Sequence, residues 1–416
     1  MLMNNDIRPP EVLPLTKPRP DIRPAPETAS PPVDEQKIEQ EFGPPPEETQ
    51  IMKPNKLLKL LPAFTRKPWP RKHLLILVAL LIVAMAGAIS LIILHNNKLT
   101  QPVAAATIKK VMAPTTVAST LTGLPVSPDV NSRPVTAVMI ENTTFARPQS
   151  GLAEAGVVFE ALAEGGVTRF MAVYQDTQPS YLGPVRSVRP YYIEWALGFN
   201  ASIAHVGGSP DALQDISTWN VQNLDEFYNA GAYERISSRD APHNVYTSIA
   251  QLNQLETSKG FTTSKYTGFP RKMESPAKTP TATSIDLTFS ADVYNVHYDY
   301  VAATNSYKRS EGGAPQIDVD QNGTQTQVTP KVVVAMIIPY SLGALDSSGA
   351  YYSEYQVIGS GPVYIFQDGS VETGTWTKLG NSSQITFTAS NGQVLPLNPG
   401  QTWIEALGST QDLNYS

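Results

Sequence analysis

Residues 157–174 read VVFEALAEGGVTRFMAVY. Two apolar, β-branched runs, Val157–Ala163 and Val167–Tyr174, flank Glu164-Gly165-Gly166. A Gly-Gly pair between strands signals a two-residue hairpin, because the primed turns need positive φ at both central residues. Taken literally, that turn sets Glu164 opposite Val167, Leu162 opposite Arg169 and Glu160 opposite Met171. Side chains alternate along a strand, so Glu160, Glu164 and Arg169 then share one face. Phe159, Ala161, Ala163, Phe170 and Ala172 form the other, a core face. The polar trio is either a solvated face with cross-strand ion pairing or the floor of a site. Four residues of strand hold its two carboxylates roughly 13 Å apart. Glycosidase acid pairs stand about 5–9.5 Å apart, so these two are not such a pair.

The neighbouring segments extend the pattern. Upstream, Val135–Ile140 is another buried-strand run. Downstream comes GPVRSVRPYYIEWALGF, with Pro190 at a first helical position and Arg186 and Arg189 just before it. Two arginines at a helix N-terminus make an anion pocket, or else they pair with Glu160, Glu164 or Glu194. In ASIAHVGGSPDALQDI, Ser209, Pro210 and Asp211 supply an N-cap, a first-turn proline and a first-turn acid. This strand–Gly-Gly–helix corner has the outline of a phosphate cradle but lacks both GxxxxGK[ST] and GxGxxG. His205 either faces whatever the corner binds or is a satisfied histidine at an element end. The loop SSRDAPHNVYTS gathers Arg239, Asp240, His243 and Asn244 and suits a binding loop, with His243 its titrating group. Thr247-Ser248 then caps a helix that ends near Lys259-Gly260.

Residues 266–284 are polar and Pro-containing, a linker. From 285 to 416 short strand-like runs alternate with turn signals, among them Asp368-Gly369 and Asn391-Gly392. Tyr364, Phe366, Trp376 and Trp403 read as core. The fold class is α+β: a mixed α/β first lobe over 131–265 and an antiparallel β-rich second lobe over 285–416.

Ahead of the lobes the composition changes twice. Residues 1–73 hold 16 of the 36 prolines and few large apolar residues, which predicts a disordered tail with polyproline character. It serves as a spacer or as a ligand for a proline-reading module. Leu74 to Leu94 follows without one charge, LLILVALLIVAMAGAISLIIL. About 20 residues span the ~30 Å of hydrocarbon. A cleaved signal peptide would be shorter and N-terminal, so the run reads as a transmembrane helix contacting the lipid bilayer. Residues 53–73 carry seven Lys and Arg and no acid, against Lys98, Lys109 and Lys110 beyond the span. The positive-inside rule therefore places the tail in the cytoplasm and the rest outside. Residues 95–130, rich in Ala, Thr, Val and Pro, read as a tether.

Composition excludes more than it assigns. With no Cys, disulfides, thiolate-bound metals, thiol catalysis and a lipid-modified Cys are ruled out. The net charge of −6 argues against a nucleic-acid partner. The exported part carries 19 basic and 27 acidic residues, so attraction to an anionic polymer needs a local basic pocket. No HExxH, Ser-x-x-Lys, nucleophile elbow or dense metal-ligand set occurs, and no cofactor or metal is expected.

Taken together, RPVTAVMIEN, ARPQSGLAEAGVVFEALAEGGVTRFMAVY, GPVRSVRPYYIEWA, HVGGSPDAL, NLDE and SSRDAPHNVYTS, then GSGPVYIFQDGSVETGTW and PLNPGQTW, resemble the bacterial YerB-type lipoproteins, a two-domain family of unknown function. The resemblance covers roughly residues 121–408 and implies an envelope location. Where many members carry a lipid-modified Cys, this chain has its apolar run. A segment that often reads Gly-Gly-x-Pro-His is here Gly312-Gly313-Ala314-Pro315-Gln316, so no role of that histidine carries over.

Two functions fit. In the first, a non-catalytic, membrane-anchored envelope protein binds an anionic ligand, a cell-wall glycan fragment or a partner protein's acidic segment, through the first lobe. Arg169, Arg186 and Arg189 pair with the anion, and His243 and Asn244 orient it. In the second, an envelope hydrolase or transferase uses His243 or Glu164 as general base, with arginines stabilising developing charge. A structural interaction module is a third. The full candidate site is Glu160, Glu164, Arg169, Arg186, Arg189, His205, Ser209, Arg239, Asp240, His243 and Asn244.

Overall fold

A computed structural model describes residues 71–99 and 115–416. The expectations for a disordered tail up to residue 70, and for the tether over 100–114, lie outside the described residues. Arg71–Leu99 is a single helix, about 43 Å long at 1.5 Å per residue. Its window Val78–His95 is long and apolar enough to cross a membrane, and none of that window is buried.

Residues 115–416 form one compact α+β unit. Nine strands run side by side in its large sheet: Thr386–Thr388, Ser370–Lys378, Gly359–Gln367, Val332–Ile337, Thr402–Leu407, Val157–Glu164, Val167–Tyr174, Thr136–Glu141 and Ser202–Ala204. The seam between the two halves of the chain is parallel, with Trp403 beside Val158 and Glu405 beside Glu160. Side chains from both halves thus share one core. A second, five-stranded sheet joins Ala314–Pro315, Ser306–Glu311, Val296–Val301, Ser284–Leu287 and Leu413–Tyr415.

The large sheet is covered on both faces, which explains apolar runs that do not alternate. On one face Met139, Phe159 and Met171 pack under the helix Pro190–Leu197, whose Trp195 stacks on Phe159 at 4.9 Å between ring centroids. On the other, Val138, Val158, Phe170 and Trp403 pack against Leu152, Val245 and Leu252. Both described α-helices with N-cap side chains start where the sequence signals them: Ser209 accepts from Ala212 N, and Ser248 from Gln251 N.

The Gly-Gly hairpin forms, with Gly165 at φ +58 and Gly166 at φ +79. Its register differs from the literal reading. Glu164 does face Val167, but the pairing shifts between Leu162 and Glu164, so Leu162 faces Thr168, Ala161 faces Arg169 and Glu160 faces Phe170. A bulge gives one strand an extra residue, and a slip of one moves every side chain beyond it to the opposite face. Glu160 therefore leaves the trio: it lies on the face of Val158, while Arg169 lies on the face of Phe159.

Folded structure also begins earlier than the expected tether end at residue 130. Val117–Ala118 pairs with Pro125–Val126, Leu121 is buried in the core, and Ser119 and Thr122 donate to the Asp176 carboxylate. The 266–284 segment lies against the unit as well: Phe269 stacks on Phe387 at 5.4 Å, and Lys272 pairs with Asp368.

Candidate functional site

The candidate residues separate into three groups. The first forms where the strand Thr136–Glu141 ends. Its last residue, Glu141, is 1% exposed, and its backbone N–H donates to Pro184 O at 2.9 Å. The strand and the loop around Pro184 and Val185 thereby hold the carboxylate at the strand's C-terminal end. His243 Nδ1 lies 3.0 Å from both Glu141 oxygens. Thr143 Oγ1 donates to Oε1 at 3.2 Å, and Arg186 Nε stands 3.3 Å from the same oxygen. His243 is presented by its loop, which closes through Ile236 N to Asn244 O at 2.9 Å and His243 N to Asp240 O at 2.9 Å.

With Nδ1 held against a carboxylate, the imidazole is fixed in orientation, and Nε2 has no protein partner among the described residues. Arg239 donates to Phe145 O (3.1 Å) and Pro148 O (2.6 Å), neutral acceptors that leave its charge uncompensated. Phe145, itself exposed, tilts over the His243 ring at 5.7 Å. Asp240 is exposed, and Asn244 accepts from Arg235.

The second group is Glu164, Arg169 and Arg189. Arg169 Nη2 donates to Glu164 Oε1 at 2.6 Å, Arg189 donates to Oε2, and Arg189 lies over the Tyr352 ring at 5.0 Å. Burial works to raise the Glu164 pKa, but the two guanidinium charges win and hold it at about 2. Burial and the neighbouring Arg169 charge press Arg189 downward, against the pull of Glu164. Both arginines are almost wholly buried and already neutralise one carboxylate, so neither has a face to offer an anion. Arg189 has taken the ion-pairing alternative raised for it; Arg186 pairs with Glu141, which was not foreseen.

The third group is interior. Glu160 pairs with Arg309, and Glu311 and Glu405 stand 3.5 and 3.7 Å from the same guanidinium. Tyr298 donates to Glu405, Gln316 accepts from Arg309, and the Trp403 ring lies 4.5 Å from the guanidinium. Burial raises Glu160 and Glu405, and raises Glu311 to about 7. Glu311 also takes Arg147 at 2.9 Å, and three buried carboxyls around two arginines still share too little positive charge for all to ionise at neutral pH.

Two residues stand apart. His205 is completely buried between Gly207 O (2.8 Å) and Asn223 Oδ1 (2.9 Å), and burial lowers its pKa. Ser209 is spent on its capping bond to Ala212 N. Of the eleven candidates, then, Arg186, Arg239, Asp240, His243 and Asn244 gather at or beside one open corner. The residue that organises it, Glu141, was missed. A lone acid closing a buried apolar run was its only signal.

This is an α+β protein of two sequence halves sharing one sheet, with an acid–histidine–arginine corner at the end of Thr136–Glu141, the strand next to the last in the sheet. Both halves match models of a protein of unknown function, the DUF3048 N-terminal domain over 121–262 and its C-terminal domain over 285–404. The chain is 30% identical over 302 residues to YerB of Bacillus subtilis (strain 168), a lipoprotein by name, covering 72% of this chain and 86% of that one. A crystal structure of Bacillus subtilis YerB superposes with a TM-score of 0.64 at 28% identity, over 72% of this chain and 99% of that chain. The chain belongs to the YerB-type, two-domain DUF3048 family.

Proposed function

We propose that the chain is a single-pass protein of the bacterial cell membrane, with Leu74 to Leu94 in the bilayer, its N-terminal segment cytoplasmic and its folded unit outside. There the corner of Arg186, Arg239 and His243 binds an anionic envelope ligand, a cell-wall glycan fragment bearing carboxylates or phosphates. The run of basic residues over 53–73 supports the orientation. The single observation carrying the ligand reading is Arg186: unlike Arg169 and Arg189 it keeps 25% of its side chain exposed, beside the open edge of His243. Protease added to intact spheroplasts should digest the folded unit and spare the N-terminal segment; the reverse pattern overturns the topology. Full-length protein in detergent micelles should be retained on isolated cell-wall polymer, and Arg186→Ala should abolish that retention. Retention unchanged by the substitution removes the anion reading.

A second reading has its own support. A histidine whose Nδ1 is steered by a buried carboxylate is arranged to take a proton at Nε2. An envelope hydrolase or transferase would use His243 in that role, with Glu141 orienting it and Arg186 stabilising developing charge. Glu164 does not suit the role, since a carboxylate held at about 2 is a weak base. Release of soluble fragments from the polymer, lost in His243→Gln, is the result this reading expects; retention without release rejects it.

A further inference from the structure

Phe145 is 77% exposed and stands at the corner built by Glu141, Arg186, Arg239 and His243. A lone exposed aromatic needs no explanation on a protein surface. This one is held where it is by the corner's own residues. It is the middle residue of the short turn Thr144–Ala146, which closes through Ala146 N to Thr143 O at 2.9 Å. Ahead of the turn, Thr143 Oγ1 donates at 3.2 Å to the Glu141 carboxylate, the group that also meets His243 and Arg186. Within the turn, the Phe145 carbonyl accepts from Arg239 at 3.1 Å, and Pro148 O just beyond accepts from the same guanidinium at 2.6 Å. The Phe145 and His243 rings lie 5.7 Å apart between centroids with their planes at 33°, which leaves most of the phenyl ring open.

An apolar plate is thereby fixed beside groups that attract negative charge. Arg186 keeps a quarter of its side chain exposed, Arg239 is bonded only to neutral carbonyls, and His243 Nε2 has no protein partner among the described residues. Covering the plate adds a favourable apolar contribution, which a small open-chain anion cannot collect because it has no flat apolar face. The loop that presents His243 adds an acceptor. Asp240 is exposed there, its backbone O takes His243 N at 2.9 Å, and its carboxylate has no partner among the described residues. A ligand made of acceptors alone leaves that carboxylate unanswered, whereas a hydroxyl can donate to it.

A pyranose ring with one acidic substituent meets all of these demands. Its C–H face is apolar, its hydroxyls donate as well as accept, and its single negative group is what an arginine binds. We infer that the corner takes an acidic sugar, a pyranose bearing a carboxylate or a phosphate, with the ring laid on Phe145 and the charge toward Arg186 and Arg239. This rests on the anion reading of the corner and adds to it the ring and the residue that selects the ring.

The test is calorimetric titration of the full-length protein in micelles of a detergent without a sugar headgroup. Glucuronate and glucose 6-phosphate are compared with glucose, glycerol 3-phosphate and AMP. At least one acidic sugar should bind with a Kd of about 1 mM or tighter, and about tenfold or more ahead of glucose and of glycerol 3-phosphate. The stronger of the two acidic sugars tells a carboxylate from a phosphate. Phe145→Ala should bring that sugar down to the level of glycerol 3-phosphate, with glycerol 3-phosphate itself and the thermal midpoint unchanged. Phe145→Trp, which keeps a flat ring, should hold it within about threefold. Glycerol 3-phosphate binding as tightly as the acidic sugars, AMP binding more tightly than both, or an unchanged isotherm in Phe145→Ala overturns the inference and leaves the anion reading standing. If no anion binds, if glucose binds as tightly as the acidic sugars, or if Arg186→Ala leaves every affinity as it was, the anion reading falls and the inference with it.

Discussion

Glu160 and Arg309 meet as an ion pair with neither side chain exposed, although 149 residues separate them in the chain. One comes from each half of the sequence, Glu160 from the strand Val157–Glu164 of the large sheet and Arg309 from Ser306–Glu311 of the five-stranded sheet. Removing one partner of a buried pair costs about 3–5 kcal/mol, because the other charge is left unpaired. Arg309→Met should therefore destabilise the folded unit by about that amount at pH 7 in urea unfolding. Its cost should shrink at pH 5, where Glu160, Glu311 and Glu405, all raised by burial, take up protons instead of remaining as orphaned anions. An equal cost at both pH values would rule this arrangement out.

Stability should rise on acidification from pH 8 to about 5. The Glu194, Glu256 and Glu311 carboxyls are raised by burial to about 7 and Asp318 to about 6, above their ordinary range. The native state then binds more protons than the unfolded chain between the ordinary and the raised pKa values. Their contribution is complete below the unfolded pKa and is lost as pH climbs through 6 to 7. His205 opposes this, since burial lowers it and its protonation on acidification favours unfolding, but it is one group against several. Below pH 4.5 the sign reverses, because Glu164, held at about 2, loses its ion pairs as it protonates. Urea midpoints at pH 5, 6.5 and 8 should fall in that order; a rising series contradicts the assignment.

Glu164→Gln tests the second cluster. Its carboxylate is the shared partner of Arg169 and Arg189, so its removal leaves two buried guanidinium groups facing one another. A loss of about 3–5 kcal/mol is expected, with Arg169→Met in the same background recovering part of it. A near-neutral Glu164→Gln would show that solvent reaches both arginines, and would reopen them as anion ligands.

Leu121→Ala marks where sequence reading stopped. The turn glycines at 165, 166 and 369 and the caps at Ser209 and Ser248 were legible because each is a local signal, complete within a few residues. Leu121 sits in a stretch rich in Thr, Ala and Pro, and its burial depends on Gly156 and the rest of a core assembled from distant segments. The bulge after Leu162 was illegible for the same reason: the alternation of VVFEALAE fits either register, and packing on both faces decides. Arg309 and Glu311, likewise, show no partner until the fold supplies one. If residues 117–126 belong to the core, Leu121→Ala should cost about 2–5 kcal/mol. A loss below ~0.5 kcal/mol, the level of surface changes, would return the segment to the tether.

Glu141 and His243 should behave as one unit. The carboxylate is buried, accepts from Thr143 as well, and stands beside Arg186, so each single replacement disturbs more than the pair. A double-mutant cycle with Glu141→Gln and His243→Gln separates the pair from those other contacts. Residues in direct contact couple by about 0.5–3 kcal/mol, whereas independent sites add within ~0.3–0.5 kcal/mol. With Nδ1 at 3.0 Å from both carboxylate oxygens, a coupling in the upper half of that range is expected from unfolding measurements. The same four proteins assayed for cell-wall retention and release distinguish the two functional readings. If the histidine only orients a bound anion, His243→Gln, which keeps a hydrogen-bonding amide, should retain polymer within a few-fold, and Glu141→Gln should behave alike. If the histidine transfers a proton, His243→Gln should stop release while retention persists, and Glu141→Gln should leave a residual rate, because it weakens the steering of the ring without removing it. Strict additivity in the unfolding cycle would mean that Glu141 does not position His243, and the corner would lose its claim to be a site.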